Sequence, residues 1–351
     1  MKSETMGIKK KGGFWRGLGW LVAFCLLLEL GLRLFGYGNF VEYKPDARLL
    51  WVPEPGHDRR TPINKELITI NDQGYRYPVT VGAKSPNEYR IFTFGDSVTM
   101  GWGVNDKSTY SAVLEQQLNA SGCPGRQFQV IDAGVNAYPN SLVRERLKTV
   151  LEGDLQPDMV VLAYSFNTGM ENMVHLQGAA KQKILRGVAM KSFLRHSALY
   201  DFLIEGVLRD LAYYRFRELM THGTWDTQKD KPDDPVDQFT AGLQETYDDA
   251  VAHHVPVVLL DLGSDDQSSD LHPYQQAMID FAQKNHLPIV NMIDAWKSVD
   301  HKPLFMDHVH PTAVGHAQIG TALAQVVRTM PAYESVCTPV TSVATKSVPA
   351  K

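Results

Sequence analysis

Four stretches of the chain carry residues that can attack a carbonyl or move a proton. The first is Gly95-Asp96-Ser97, which closes a short apolar run of Ile91, Phe92 and Phe94. The last is Met306-Asp307-His308-Val309-His310-Pro311. A serine hydroxyl is a weak nucleophile until a base takes its proton, and the usual base is a histidine oriented by a carboxylate. Asp307 and His310 are three residues apart. In a turn the carboxylate can therefore accept from one imidazole nitrogen while the other points at Ser97, with His308 facing away. Acyl transfer also needs donors for an oxyanion. The Ser97 amide is one. The loop Asp132-Ala133-Gly134-Val135-Asn136 offers the Gly134 amide, and Tyr164-Ser165-Phe166-Asn167-Thr168-Gly169 offers the Asn167 side chain.

Each of these residues has a plainer reading alone. Ser97 fits a turn or a helix cap. Gly134 and Asn167 fit loop residues with local hydrogen bonds, and Asp307 fits the cap of the helix that follows. Asp307, His308 and His310 are metal-ligand types, although no third well-placed ligand is evident. With twelve histidines in the chain, presence alone says little. The joint order of Ser, Gly, Asn and Asp-x-x-His at successive strand ends is what points to acyl transfer.

The elements that must position these residues are legible from residue 89 onward. Short runs rich in Val, Ile, Leu or Phe at Tyr89–Phe94, Phe128–Asp132, Met159–Ala163, Pro256–Asp261 and Pro288–Met292 read as strands buried on both faces. Helical patterns fall between them near 108–120, 140–152, 237–253 and 271–286, with a last one near 312–329. Alternating strand and helix predicts a doubly wound (flavodoxin-like) α/β sandwich of three layers on a five-stranded parallel sheet. Ligands of such sheets bind at the carboxyl ends of the strands, where all four stretches leave. Residues 170–236 interrupt the rhythm. Lys181–Met190 and Leu199–Met220 read as amphipathic helices, with Leu199, Phe202, Leu203, Val207, Leu208 and Leu211 on one side. Thr224–Pro235 reads as a polar loop. This insertion is either a lid over the site or a packing element for the core or a membrane surface.

Before the sheet, residues 37–88 read as a neck and a small subdomain, with a short strand at Ile68-Thr69-Ile70 and a turn at Asn71-Asp72-Gln73-Gly74. Arg76 follows, as either a brace for the catalytic loops or a surface salt bridge. Residues 89–330 form the main domain, and 331–351, rich in Pro, Ser, Thr, Val and Lys, read as a flexible tail.

The first residues carry a different message. Lys2, Lys9, Lys10, Lys11 and Arg16 lie in a basic segment, 1–16, ahead of a mostly apolar stretch, 17–36. Twenty such residues span about 30 Å as a helix, the thickness of a bilayer core. The positive-inside rule then puts the N-terminus in the cytoplasm and the body outside. A cleaved signal peptide and a buried soluble helix are the alternatives; the first lacks a clear small-x-small site and the second does not explain the cations. Glu29 and Arg33 interrupt the span four residues apart, so they can pair on one helix face. Of three cysteines, Cys25 lies in the span. Cys123 and Cys337 lie in the body, where a disulfide that pins the tail is permitted and two free thiols are the alternative. A formal net charge of -4 gives no footprint for nucleic acid.

The constellation resembles the SGNH (GDSL-type) hydrolase family over residues 68–329, least so at 170–236. Gly95-Asp96-Ser97 is similar to its first block, with Ser97 as nucleophile and oxyanion donor. Gly134 and Asn167 match the oxyanion residues of the second and third blocks, and Asp307 and His310 match the final Asp-x-x-His block, with His310 as base. Asn71-x-x-Gly-Tyr-Arg and Gly-Trp-Gly-Val after the serine resemble a bacterial subset that often carries an N-terminal membrane span. Two positions depart from the family pattern: Thr168 stands where an Asp usual to the third block would, and Ala137 where the second block often has glycine. The resemblance implies hydrolysis of short-chain or acetyl esters on an envelope carbohydrate or lipid, without metal or organic cofactor. An O-acyltransferase acting on an exported polysaccharide, and an anchored glycan-binding or assembly factor, are the other readings.

Overall fold

The structure is a computed structural model that describes residues 12–163, 167, 171–208, 211, 215, 235–263 and 272–337. It begins with helix α1 (Gly12–Leu34), whose side chains are mostly exposed. Gly13–Leu34 is long and apolar enough to cross a membrane, a test that a signal sequence also passes. Two antiparallel hairpins follow: β1 (Tyr43–Asp46) with β2 (Leu50–Pro53), and β3 (Gly56–Arg60) with β4 (Leu67–Ile70). Segment 37–88 thus divides in two. Leu50, Trp51 and Val52 of β2 join the main core, while Val41, Ile68 and Ile70 form a small cluster with Met100.

The main body starts with β5 (Glu88–Phe94), α2 (Tyr110–Ala120), β6 (Gln127–Asp132), α3 (Asn140–Leu151) and β7 (Met159–Ala163). The insertion contributes α4 (Gly178–Leu194) and α5 (Ala198–Asp201), which runs into a π-helical turn at Phe202–Val207. The body resumes with α6 (Pro235–Ala252), β8 (Val257–Asp261), α7 (His272–Lys284), β9 (Ile289–Asn291), α8 (Met292–Trp296), α9 (Ala313–Arg328) and α10 (Pro331–Cys337). The five strands of the body form one parallel sheet in the order β6-β5-β7-β8-β9. The order reverses between β5 and β7, the point at whose carboxyl ends open α/β sheets bind their ligands.

Alternate residues of each strand feed two separate cores, which is why the strands read as runs rather than as alternating patterns. Phe92, Phe94, Val160, Leu162 and Leu259 pack toward α3, α6 and α7. Ile91, Val130, Val161, Val258 and Leu260 pack toward α2, α9 and α10. On this second face α2 and α9 lie against each other. Gly320 leaves no room for a Cβ against Val113 and the Tyr110 carbonyl, His316 Nδ1 accepts from the Tyr110 N–H at 3.2 Å, and Gln117 donates to Thr321 at 2.7 Å.

Two expectations change. Residues 331–337, assigned to the flexible tail, form α10. Its Tyr333 is buried and stacks on Phe128 at 5.4 Å between centroids, and Cys337 is disulfide-bonded to Cys123. Pro331 suits the first turn of a helix, where no N–H is needed. The remainder of the tail, 338–351, lies outside the described residues. Of the helix expected at Leu199–Met220, the described residues show α5, the π turn and helical backbone at Leu211 and Arg215, and the other residues from 209 to 220 lie outside the described residues. Of the apolar side expected there, Leu203, Val207, Leu208 and Leu211 are exposed. The polar loop at 224–234 lies outside the described residues.

Candidate active site

Ser97 is presented by a tight turn at the end of β5. Gly95 carries no Cβ because the Thr99 hydroxyl occupies that space. The buried Asp96 accepts the Val98 N–H at 2.9 Å, and its carbonyl accepts the Met100 N–H at 3.0 Å. The Ser97 carbonyl accepts the Trp102 N–H at 3.0 Å. The backbone is thereby wound under the serine, and its hydroxyl is left at the rim.

The histidine arrives from the far edge of the sheet. The segment between α8 and α9 returns across the ends of β8 and β7, a span of roughly 14 Å at three strand spacings. Its turn is closed by the Met306 N–H to the His310 carbonyl at 2.8 Å. Ser97 Oγ donates to His310 Nε2 at 2.8 Å. With the other ring nitrogen protonated, His310 Nδ1 donates to Asp307 Oδ2 at 2.8 Å. Burial pushes the Asp307 carboxyl up, but hydrogen bonds from the His310 ring and from the N–H groups of His310 and Val309 outweigh it and hold it well below the carboxylate range. Asp307 does not cap the next helix; Thr312 does, accepting the Gly315 N–H at 3.3 Å. His308 is exposed. Among the described residues, no three His, Cys, Asp or Glu side chains gather closely enough to hold a metal ion.

The two remaining site residues are brought to the same rim, and both have internal partners. The Gly134 N–H donates to Asp132 Oδ1 at 2.9 Å, and a Cβ on Gly134 would collide with the Met100 N–H. This glycine is therefore required for the close approach of two loops. Asn167 Nδ2 donates to Asp96 Oδ2 at 3.0 Å and to the Tyr138 carbonyl at 3.3 Å. Its neighbours 164–166 and 168–170, Thr168 included, lie outside the described residues. Ala137, at the position that departs from the family pattern, has φ +62°, a left-handed conformation that favours glycine.

Arg76 has the larger of its two expected roles. Its guanidinium is buried and donates to the carbonyls of Met100 at 2.6 Å, Gly101 at 2.8 Å and Val104 at 2.7 Å, and to Asp106 at 3.0 Å. Its backbone N–H donates to the Asp132 carbonyl at 3.0 Å. One residue thus ties the loop after Ser97, through its side chain, to the end of β6, through its backbone. Burial pushes the Asp132 carboxyl up to about 7 against the pull of Arg76 and the Gly134 N–H. Tyr138 escaped sequence reasoning. Its hydroxyl donates to the Leu49 and Trp51 carbonyls, locking the β1–β2 hairpin to the loop that supports Asn167. Nothing in the spacing marks it, because its partners are backbone carbonyls nearly ninety residues away.

Several known proteins resemble this one. The model of the GDSL-like lipase/acylhydrolase family matches residues 93–318. No curated protein matches the chain. Among solved structures, the lipase/acylhydrolase from Enterococcus faecalis is 15% identical, with a TM-score of 0.42 over 68% of this chain and 95% of that one. The psychrotrophic esterase EstA from Pseudoalteromonas sp. is 13% identical, with a TM-score of 0.42 over 68% and 96%. The hydrolase LAE5 from the Lake Arreo metagenome is 15% identical, with a TM-score of 0.44 over 70% and 96%.

Proposed function

Because the chain belongs to the GDSL-like lipase/acylhydrolase family and is an SGNH-type esterase, we propose that it cleaves short-chain acyl esters, acetyl esters above all, through a serine acyl-enzyme. His310 takes the Ser97 proton as the hydroxyl attacks the ester carbonyl, and Asp307 holds the imidazolium that forms. The alcohol leaves with the proton from His310. Water, deprotonated by His310, then releases the acid and frees Ser97. The Ser97 and Gly134 N–H groups and the Asn167 amide receive the oxyanion. At rest Gly134 is held by Asp132, and Asn167 by Asp96 and Tyr138, so these two exchange an internal acceptor for the oxyanion.

The observation that supports this reading is the unbroken Asp307–His310–Ser97 chain, at 2.8 Å in both links. Its test is hydrolysis of p-nitrophenyl esters graded by chain length. The Ser97→Ala variant loses turnover, with rates on the wild type greatest for the shortest chains; an unchanged rate in the variant rejects the assignment.

The same reading places the enzyme in a membrane as a single-span protein, N-terminus cytoplasmic and body outside, acting on an ester of an envelope carbohydrate or lipid. Two features support it. Basic residues precede the apolar α1. The Cys123–Cys337 disulfide is a bond that persists in oxidising compartments.

A further inference from the structure

The helical insertion is fastened to α1 inside its apolar span, not beyond it. Glu29 accepts hydrogen bonds from the N–H groups of Ala198 at 2.8 Å and Leu199 at 2.9 Å, and from Ser197 Oγ at 3.0 Å. Arg33 pairs with Glu29 at 2.8 Å and donates to the His196 carbonyl at 2.5 Å. Glu29 stands five residues before Leu34, the end of α1, or roughly 7 Å along the helix. The chain beyond α1 is wedged into the same place. The Gly38 N–H donates to Asp201 at 3.1 Å, and Tyr37 meets Phe202 edge-on at 5.4 Å. The joint between α1 and the body is built of charge, hydrogen bonds and ring contacts, unlike a loose tether.

The surfaces on either side of this joint are apolar and uncovered. Met190, Phe193 and Leu194 lie on one side of α4, spaced three and four apart, with Phe193 76% exposed. Past the joint, Leu203, Val207 and Leu211 are exposed in turn. Scattered apolar residues need no explanation, but a contiguous group does. Farther back on the same side of α4, at the same spacing, come Arg186 and Lys183, both exposed.

We propose that this face of the insertion seats in the interfacial layer of the bilayer that α1 crosses. Continuity with α1 argues for lipid as the occupant. The joint is level with Glu29, so the side chains next to it lie at the depth where α1 itself passes from tails to headgroups. Lys183 and Arg186 are placed to meet anionic headgroups while Met190 and Phe193 go deeper. The insertion leaves the sheet after β7 and returns at α6, both on the edge that carries Ser97. The catalytic rim is therefore held toward the membrane, and the ester substrates it meets are those carried at a lipid surface. The proposal rests on reading α1 as a membrane span.

The test uses the full-length protein in vesicles of phosphatidylcholine and phosphatidylglycerol, with bimane on single cysteines and doxyl lipids as quenchers. Label on the native Cys25, the free cysteine of α1, reports the span. Label on Phe193→Cys or Met190→Cys, each in a Cys25→Ser background, reports the seating face. Label on Val251→Cys, exposed at the far end of α6, reports the body. The proposal expects Cys25 label to be quenched by doxyl groups deep in the chains, and both α4 labels to be quenched several-fold more than the Val251→Cys label by doxyl groups near the headgroups. Quenching at Cys25 with both α4 labels behaving like the Val251→Cys label overturns the proposal and leaves the span intact. Cross-linking between two Phe193→Cys chains without lipid quenching overturns it in favour of a second copy. No quenching at Cys25 removes the span and the proposal together. None of these readings uses turnover, so a failed esterase assignment shows only in the ester assay.

Discussion

Asp307 accepts from His310 twice, once from its backbone N–H at 2.9 Å and once from its ring Nδ1 at 2.8 Å. The carboxylate therefore shapes the turn that carries the imidazole and also selects which ring nitrogen bears the proton. An Asp307→Asn side chain can still accept the backbone N–H through its oxygen. It cannot favour the imidazolium. We expect the melting temperature to change little and kcat on a short ester to fall by roughly 10³–10⁴-fold. A kcat within tenfold of wild type would contradict the assigned role.

Arg76 is expected to be expensive to remove. Arg76→Ala takes the guanidinium donors from the Met100, Gly101 and Val104 carbonyls, of which Gly101 keeps the Val104 N–H, and takes the cation from Asp106, which keeps the Thr69 N–H. The loss comes mainly from the buried carbonyls left without a donor, at about 1–3 kcal/mol each, and is measurable by urea denaturation. Arg76→Lys keeps the charge but not the fork that reaches three carbonyls, so it should recover only part of the stability. Both variants should lower kcat, because the 100–104 loop follows Ser97 directly.

Ala137 offers the opposite case. Its φ of +62° costs a residue with a Cβ roughly 1–2 kcal/mol, part of which glycine returns through the freedom of the unfolded chain. Ala137→Gly should raise stability by up to about 1 kcal/mol with ester turnover unchanged. A loss of stability would show that the Ala137 side chain contributes more by packing against the core around β2 than its backbone costs.

A pH effect follows from Asp261 at the end of β8. It is fully buried, and neither carboxylate oxygen has a hydrogen-bond partner among the described residues. Burial, reinforced by Asp294, pushes its pKa up to about 8 from an ordinary 3.8. The folded protein keeps this proton in a window where the unfolded chain has lost it. Stability is therefore full below the ordinary value and declines as pH rises toward the folded one. Asp261→Asn removes the titration. Its advantage in melting temperature should be small near pH 5 and grow, to the order of 5 °C, by pH 8. An advantage independent of pH would mean that the carboxyl is ionised throughout.

How far the sequence carries the argument depends on where each interaction lies along the chain. The strands of the sheet are legible because both their faces are buried, so Ile91 and Phe92 must both be apolar although they enter different cores. Ser97, Asp307 and His310 are legible because a glycine turn and an Asp-x-x-His spacing are local. Arg76 is ambiguous in the sequence because its partners are carbonyls, which every residue has. α10 is hidden because a short run ending in Cys337 looks polar until Tyr333 finds Phe128. The acceptors of Asn167 are equally silent, since Asp96 and Tyr138 lie on other loops of the chain.

The order of the parts along the chain sets when the machine becomes complete. Ser97 follows the sheet's first strand, while the histidine proposed as its base comes 213 residues later, and the two are drawn together as α2 and α9 close on Gly320. A growing polypeptide thus carries an unarmed hydroxyl through most of its synthesis. On the proposed mechanism, competence belongs to the nearly finished product, and a fragment stopped short of Asp307 would be inert even with its sheet already formed.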